Sequence, residues 1–493
     1  MTLPTSLPQV TIQADAFTAI EDVEQGVIEN EDIWISCYDS SMPSVHGKVA
    51  VMISDEDRTQ CAFKGRDGVQ CERIQNTIFA VSCPALHIDN RSIHFPTHVI
   101  TLPEVTSTKT SSKLDKGINN LDISPDGQLW VAALGNGSVL VGAGPSKARK
   151  DTPAPLEGNY HKGAVSTVQL VKPTTSTANP RILSGSEDFS LVLSEFPGFS
   201  SLAQVNSSAL ISQTLLPPSI RLTSHTRSVT SARVLPCGTK AISAGRDGTL
   251  RVWDLTPEST SVSRQIGMVR SNGDVAINSF ALSFGHSASL AVLALQSGHF
   301  DLVDVDSRNT LFSTSSAGFE YTRNGPLDAI DIYPLYTAHK YLVATGSQRG
   351  VISFFICTID NGSVVTTNLG SCIRNGAGIS DVKFIPLLKD SIGKWIQSAR
   401  YTPSAKKFVT DAYPRLLVAT TDGLPYQLQI SQKSDSAGVQ FQVIVEYAGG
   451  ADCSPLRSIV WHDESKTVWV AGDDGYFGII RPYRIWHKPA TGW

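Results

Sequence analysis

A histidine, a serine and an aspartate, the residue types of a hydrolase triad, occur close together in one segment of the sequence: His225, Ser243 and Asp247. In such a triad the histidine removes the proton of the serine hydroxyl, and the aspartate orients the histidine. Ser243 lies in the sequence Ala-Ile-Ser-Ala-Gly, which lacks the Gly-x-Ser-x-Gly turn that exposes the nucleophile of an α/β-hydrolase. The three residues therefore do not predict a hydrolase.

The other motifs that could carry chemistry are also missing. The sequence contains no Gly-x-x-x-x-Gly-Lys phosphate loop, no His-Glu-x-x-His and no paired Cys-x-x-Cys. His94 and His98 could share one face of a strand, but no third ligand lies at a suitable spacing. We therefore predict no catalytic residue, no metal ion and no cofactor, and we expect that the protein is not an enzyme.

The segment around these residues, SHTRSVTSARVLPCGTKAISAGRDGTLRVWDL, is the clearest of seven similar segments. Each has an alternating apolar run, a turn, a second apolar run, a short turn of Gly, Asp or Asn, and a third run. The copies start near Ile118, Ala164, Val229, Ile277, Leu327, Ile379 and Leu456. The second turn recurs after 50 residues from Gly248 to Gly298, and an insertion at about 386–414 lengthens one copy.

A period of this length with three or four short strands is typical of a β-propeller blade. Because successive strand residues point to opposite faces, a small sheet can bury both faces only against neighbouring sheets. We therefore predict an all-β fold with a seven-bladed propeller at 118–493 and the insertion in its sixth blade. Residues 1–117 do not fit the repeat, and we predict a small β-rich N-terminal domain there. Its last strand, around Thr-His-Val-Ile-Thr-Leu-Pro, is a candidate to close the ring.

The charge of the chain limits its partners. The net charge is −4 at pH 7, which makes general nucleic-acid binding unlikely because that function needs a basic surface. The first 57 residues form an acidic segment in which Lys48 is the only base. The sequence has no apolar run long enough for a membrane span and no signal peptide pattern. We expect a cytoplasmic or nuclear protein that does not bind membranes and is a monomer on its own.

Acidic residues recur in the turns that a propeller gathers on one face, between the second and third strands and between the blades. They are Glu187, Asp188, Asp274, Asp422, Asp452, Asp473 and Asp474. We predict that this acidic rim binds a protein partner, because a face of one sign attracts and orients a partner of the opposite sign. The alternative is local, since aspartate favours turns for its own hydrogen bonding.

One copy of the repeat resembles the WD-repeat family at residue level. In that family a histidine before the blade, a serine or threonine in the second strand, an aspartate in the next turn and a tryptophan form a buried hydrogen-bonded set. The matching residues here are His225, Ser243, Asp247 and Trp253. The resemblance implies that this set holds the blade together.

The chain also resembles the proteasomal ATPase-associated factor family, in the segments AISAGRDGTLRVWDL with SNGDVAINSFALS and GGADCSPLRSIVW with VWVAGDDGYFGIIRPYRI. That resemblance implies a non-enzymatic assembly chaperone. Such proteins bind the C-terminal domain of an AAA ATPase subunit in the base of the proteasome regulatory particle and prevent premature docking on the core particle. The rim turns and the inserted loop depart from the family, so no contact residue is transferred.

Two other functions stay open. One is a different WD-repeat scaffold, in ribosome assembly or chromatin, with the basic loop at 389–407 as its partner site. The bases of that loop are Lys389, Lys394, Arg400, Lys406 and Lys407. The other is a propeller enzyme that uses its central channel, which would need convergent histidines or carboxylates that the repeats do not supply.

Overall fold

Strands make up most of the fold. The computed structural model describes residues 3–58, 60–102, 117–144, 155–171, 179–196, 218–256, 264–284, 289–318, 324–335, 339–360, 362–386, 388–389, 395–396, 413–432, 438–450, 454–473 and 478–484. The predicted β character is confirmed, since Ala16–Glu24 is the only α-helix among these residues. None of the helices in these ranges has the length and apolarity to cross a membrane.

Besides the N-terminal sheet given below, seven sheets within the described ranges contain four antiparallel strands each, and we call these four-stranded parts units 1 to 7. The strands of units 1 to 4 are Ile118–Ile123, Leu129–Leu134, Ser138–Ala143 and Leu156–Asn159; Val165–Val171, Arg181–Ser186, Ser190–Glu195 and Pro218–Thr223; Val229–Val234, Lys240–Gly245, Thr249–Asp254 and Gln265–Arg270; Ile277–Phe284, Ser289–Leu295, Phe300–Asp304 and Asn309–Ser313. This arrangement of sheets is consistent with a WD-type β-propeller.

Units 5 to 7 follow the same plan. Their strands are Leu327–Pro334, Lys340–Ser347, Val351–Asp360 and Ser363–Ile373; Ile379–Ile385, Arg415–Thr420, Tyr426–Gln432 and Val439–Tyr447; Leu456–His462, Thr467–Asp473, Gly478–Arg484 and, from the N-terminal part of the chain, Ile100–Thr101. The insertion at about 386–414 falls between the first two strands of unit 6, where Leu388–Lys389 pairs with Trp395–Ile396.

Seven hydrophobic clusters fill the spaces between successive units in the described residues. One example is the cluster between units 3 and 4, in which Ile242 and Val252 pack with Ile277 and Leu293. The cluster between the last and first units has the same character, since Trp469 and Ile480 share it with Leu121 and Trp130. Each unit therefore buries both faces against its two neighbours, including unit 7 against unit 1.

The first strands of the units also contact one another in cyclic order, from unit 1 to unit 7 and back to unit 1. Each of them carries a register irregularity directly after its first residue, as between Val229 and Ser231 and at the same place in the other six. A bulge redirects the extra residue out of the regular ladder. Here the redirected residue is the second one of each first strand.

That second residue links one unit to the next. In units 1 to 4 its side chain donates a hydrogen bond to the carbonyl of the first strand residue of the next unit. The bonds are Asn119 Nδ2 to Val165 O at 2.9 Å, Ser166 Oγ to Val229 O at 2.6 Å, Thr230 Oγ1 to Ile277 O at 2.9 Å and Asn278 Nδ2 to Leu327 O at 2.9 Å. Ser380 makes the same bond from unit 6 to Leu456.

Two units depart from this pattern. Asp328 of unit 5 is an acceptor, and it receives hydrogen bonds from Asn278 Nδ2 at 3.0 Å and Gln348 Nε2 at 3.1 Å. Arg457 of unit 7 reaches unit 1 through the Asn119 side chain, with Nη1 2.7 Å from Oδ1. The chain of polar contacts therefore also spans the junction between the last unit and the first.

The N-terminal region, residues 3–102, contributes strands to three of the units. Thr5–Ser6 pairs in parallel with the outer strand of unit 5, and Ile88–His94 pairs in parallel with that of unit 6. Ile100–Thr101, within the strand proposed to close the ring, pairs with the third strand of unit 7. The boundary at 117 stays a prediction.

The rest of the N-terminal region has its own core. Its strands are Gln9–Ile12, Asn30–Asp39, Met42–Ile53 and Cys61–Arg66 in one antiparallel sheet, and Gln70–Gln75 and Ile78–Cys83 beside Ile88–His94 in another. Ala16, Ile20 and Val23 of the helix are buried in the same hydrophobic cluster as Ile33 and Val49 of the first sheet. The inward face of that sheet is therefore covered.

A buried ion triad joins the N-terminal region to unit 6. Glu446 Oε1 lies 3.0 Å from Arg91 Nη1, and Glu446 Oε2 lies 2.9 Å from Arg374 Nη2. All three side chains are almost completely buried, and the Val10 N–H donates to the same carboxylate at 3.2 Å. One carboxylate thus holds two guanidinium groups from opposite sides of the junction.

Replacement of Glu446 by glutamine should destabilise the protein strongly. The change leaves two buried guanidinium groups without their counterion, which typically costs about 3–5 kcal/mol. Asp463→Asn is the control, because Asp463 pairs with Lys466 at 2.6 Å but is 69% exposed, and such pairs contribute about 0–1 kcal/mol. Urea unfolding followed by circular dichroism measures both. Equal effects of the two substitutions would contradict the assigned role of Glu446.

Candidate functional site

The four residues of the repeat in unit 3 lie together. His225 Nε2 is 2.7 Å from Ser243 Oγ, and Trp253 Nε1 donates to the same oxygen at 2.8 Å. His225 Nδ1 is 3.0 Å from Asp247 Oδ2, and because a carboxylate only accepts, Nδ1 carries the hydrogen of this bond. Ser243 and Trp253 are fully buried. The serine hydroxyl is therefore enclosed within the unit, where His225 and Trp253 engage it.

The local sequence explains how the set is positioned. Ser243 and Trp253 lie on the second and third strands of unit 3, and the turn between these strands contains Asp247 followed by Gly248 at φ 73°. That backbone conformation is easy for glycine and strained for residues with a Cβ. Asp247 also accepts from the Thr226 and Thr249 backbone N–H groups at 3.0 and 3.1 Å. The aspartate therefore joins the turn to the loop that carries the histidine.

The electrostatics of Asp247 follow from these bonds. Burial alone would raise the pKa of its carboxyl group, but the hydrogen bonds from His225, Thr249 and the Thr226 backbone outweigh burial and hold the pKa well below its usual range. Arg251 Nη2, at 3.4 Å, adds a positive charge beside it. These bonds therefore stabilise the ionised form of Asp247 in the folded protein.

Unit 2 contains a second set of the same kind, which the sequence analysis missed. His161 Nε2 lies 2.8 Å from Ser184 Oγ, and His161 Nδ1 lies 3.2 Å from the Asp188 carboxylate. Burial lowers the pKa of His161, and the nearby Asp188 only partly opposes this. The neutral ring therefore accepts the Ser184 hydroxyl hydrogen at Nε2. Ser194 occupies the position of the tryptophan.

The carboxylate of Asp188, which the sequence analysis placed in the binding rim, is therefore already engaged within its own unit. Its side chain is only 12% exposed, and it accepts from the Ser190 hydroxyl at 2.7 Å and from the Lys162 N–H at 3.0 Å besides its contact with His161. Burial opposes ionisation, but these bonds lower the pKa of Asp188 below its ordinary value. The sequence signal was available, because His161 precedes Val165 by the same four residues that separate His225 from Val229.

Unit 6 uses a variant of the set. Asn375 takes the place of the histidine, and its Nδ2 donates to Asp422 Oδ2 at 2.6 Å. Asp422 also accepts from the Leu424 N–H at 3.2 Å. Asn375 Nδ2 donates in addition to Gln9 Oε1 of the N-terminal region at 3.1 Å. Asp422 therefore has a structural role at the rim, and only part of its carboxylate is free for a partner.

The remaining acidic residues of the predicted rim differ in accessibility. Glu187 is exposed, and Asp274 is 65% exposed with Arg270 Nη1 at 3.0 Å. Asp473 is partly buried and lies 3.7 Å from Arg457 Nη2. Asp452 and Asp474 lie outside the described residues. The structure thus places Glu187, Asp274 and Asp422 in turns or loops and Asp473 at the end of a strand, next to such a turn.

A cavity of about 340 Å³ opens at this end of the first strands. Its walls include Asn119 and Asn278 of the linking positions, the carboxylates of Glu187 and Asp328, and the guanidinium group of Arg246. Both positively and negatively charged residues therefore line the cavity. Within the described ranges no group of three or more histidines, cysteines, aspartates or glutamates is placed to hold a metal ion. Most of the basic loop at 389–407 lies outside the described residues.

Asp247→Asn should weaken the acid dependence of stability. A carboxyl group whose folded pKa is lowered contributes stability that is present above its unfolded value of 3.8 and is lost as the pH falls through the folded value. Free energies of unfolding measured in urea from pH 7 to pH 3 should therefore fall less steeply in Asp247→Asn than in the wild-type protein. Asp274→Asn, at an exposed site, is the control. An unchanged slope in Asp247→Asn would contradict the assignment.

A comparison with known families agrees with the geometry of unit 3. Residues 217–254 match the family model described as WD domain, G-beta repeat. The match contains His225, Ser243, Asp247 and Trp253. No curated protein matches the chain. The chain therefore carries a WD repeat, which supports its assignment as a WD-repeat protein and as a scaffold for protein interactions.

Proposed function

We propose that this protein is a non-enzymatic assembly chaperone that binds the C-terminal domain of an AAA ATPase subunit of the proteasome regulatory particle base. Binding would keep the bound subunit from docking prematurely on the core particle. The observation that carries the proposal is a set of seven units whose first strands contact one another in cyclic order and whose accessible carboxylates lie near turns at one end. The identity of the proposed partner comes from the resemblance of units 3 and 7 to the proteasomal ATPase-associated factor family.

The proposal includes a closed seven-bladed propeller in which the seven units are the blades. Three features support closure: the cyclic contacts of the first strands, a hydrophobic cluster at every junction, and the Arg457 to Asn119 bond between the last unit and the first. A closed ring leaves only short, protected strand edges, so it can present its turns as one fixed surface. Residues 1–117 would form the N-terminal domain beside units 5 to 7.

The proposed contact residues on the rim are Glu187, Asp274, Asp422 and Asp473, with Asp452 and Asp474. Exposed carboxylates on a rigid face attract a basic surface and orient it during encounter. Among these residues Glu187 is the best candidate for a contact with the partner, because it is exposed and lines the cavity at the centre of the ring. Asp188 is excluded, because its bonds to His161 and Ser190 already engage its carboxylate.

The cellular setting belongs to the same proposal. A chaperone for a proteasome subunit works in the cytoplasm or the nucleus, without a membrane and as a monomer until its partner binds. Affinity purification of the tagged full-length protein with mass spectrometry tests the class of partner. ATPase subunits of the proteasome base without mature core particle are the expected result. Recovery of ribosomal proteins or histones instead would replace this function with the alternative scaffold.

Reversal of charge on the rim should weaken partner binding. Glu187→Lys combined with Asp473→Lys is expected to raise the Kd for the recombinant ATPase C-terminal domain at least tenfold, since a tenfold change corresponds to about 1.4 kcal/mol. Most of the loss should lie in the association rate and should shrink at high salt. Isothermal titration and surface plasmon resonance give both quantities.

Asp463→Lys is the matched control for this measurement. Asp463 is an exposed carboxylate of unit 7 in the turn between the first and second strands, at the opposite end of the sheet from Asp473. It should leave the Kd unchanged. The same loss of affinity in the control and in the rim variant, or no loss in either, would remove the rim from the proposal.

A further inference from the structure

One face of the N-terminal sheet carries a group of aromatic and basic side chains that lie outside the hydrophobic core. The sheet consists of Gln9–Ile12, Asn30–Asp39, Met42–Ile53 and Cys61–Arg66. Trp34 is 52% and Tyr38 is 39% exposed. We call this group the aromatic-basic face; its members are Trp34, Tyr38, His46, Lys48, Lys64 and Arg66.

The register of the strands places these residues on one side of the sheet. Trp34 lies opposite Lys48, and Lys48 lies opposite Arg66 on the next strand. Their neighbours Ile33, Ile35 and Val49 point to the buried core on the other side. Tyr38 lies at the register irregularity between Cys37 and Asp39, and its contact with His46 places it on the same side of the sheet as Trp34.

Local contacts hold several of these side chains in place. The Lys48 ammonium lies 4.2 Å from the centre of the Trp34 ring. Tyr38 and His46 meet edge to face with ring centres 5.6 Å apart. His46 is fixed by two hydrogen bonds, one between its Nδ1 and Ser36 Oγ at 2.9 Å and one between its Nε2 and Ser44 Oγ at 3.0 Å. The face is therefore ordered before any ligand arrives.

The charge of the face differs from that of the region around it. Lys48 is the only lysine or arginine among the first 57 residues. It lies on this face directly opposite Arg66. Two like charges directly opposite each other destabilise a sheet. Asp32 pairs with Arg66, and neither Lys48 nor Lys64 forms an ion pair with a carboxylate within the described residues. An anionic ligand would relieve this repulsion.

We infer that the aromatic-basic face binds single-stranded nucleic acid. An exposed ring offers its π surface to any base, and stacked bases on a sheet with cations beside them are a recurrent mode of single-strand recognition. The bases would stack on Trp34 and Tyr38, and the phosphates would lie near Lys48, Lys64 and Arg66. The net charge of the chain argues against binding over its whole surface but not at this face.

The position of the aromatic-basic face is compatible with a bound nucleic acid that does not cover the acidic rim. Gln9–Ile12 is the strand of this sheet that contacts unit 6, through Gln9 and Asn375. The three cations lie on Met42–Ile53 and Cys61–Arg66, the two strands farther along the sheet from that contact. A nucleic acid can therefore occupy the three cations and Trp34 while the rim stays free for a protein, and Tyr38, opposite Gln9, marks the end of the face nearest to unit 6.

The test uses the full-length protein with fluorescein-labelled oligouridylate and oligothymidylate of twelve nucleotides, followed by fluorescence anisotropy. Saturable binding at 50 mM NaCl is expected. Three phosphate contacts predict a slope of log K against log salt of about −2, hence a roughly 20-fold loss of affinity at 200 mM. A preference for one oligonucleotide assigns RNA or DNA as the ligand. Equal affinity supports a face that does not distinguish ribose from deoxyribose.

Two variants connect binding to the face. Trp34→Ala should lower the affinity at least fivefold, since loss of one base stack costs about 1–3 kcal/mol, and Trp34→Phe should restore part of it. Arg66→Gln should lower the affinity and make the salt slope shallower by about 0.7. Arg270→Gln is the matched control, because Arg270 is also an exposed guanidinium paired with one carboxylate. It should change neither quantity.

Three results would overturn the inference. The first is the absence of saturable binding to both oligonucleotides at 50 mM NaCl. The second is an equal loss of affinity in Arg66→Gln and Arg270→Gln. The third is equal displacement of the labelled oligonucleotide by polyglutamate and by unlabelled oligouridylate, when both competitors are added at the same concentration of negative charge. That result would assign the face to an acidic protein segment. Unchanged melting temperatures of the variants keep each result separate from misfolding.

Discussion

The structure depends on a hydrogen bond that crosses from one sheet to the next near the start of most of the first strands. The first strands of neighbouring units lie side by side without forming a common ladder, so their backbone groups need other partners. A bulge turns the second residue of the strand towards the neighbour, and its side chain donates to the next backbone carbonyl in five of the seven units. This bond satisfies a buried acceptor that would otherwise cost free energy.

The same requirement explains the polar sets in units 2, 3 and 6. The loop that enters a unit must be tied to the turn between its second and third strands, and an aspartate in that turn receives the bond. The donor is His161 in unit 2, His225 in unit 3 and Asn375 in unit 6. One geometry is thus preserved while the donor changes, and each such aspartate loses freedom to bind a partner.

Much of the fold could be predicted from the sequence, because its signals are local. The first strands begin at or next to the residues where the repeats were predicted to start, such as Val229 and Ile277. The set in unit 3 could be predicted because all four residues are present. The set in unit 2 was missed because Ser194 replaces the tryptophan, although the spacing of His161 and Asp188 was there. The parallel additions of Thr5–Ser6 and Ile88–His94 use backbone hydrogen bonds, which leave no side-chain pattern.

The central claim is that the seven units form one closed ring that unfolds as a whole. Native-state hydrogen exchange measured by mass spectrometry tests it most directly. In a closed ring every unit has two neighbours, so peptides from the first strands of units 1, 4 and 7 should exchange with the same, global free energy of opening. In an open array the end units have one neighbour each. Earlier exchange in Ile118–Ile123 and Leu456–His462 than in Ile277–Phe284 would contradict the closed ring.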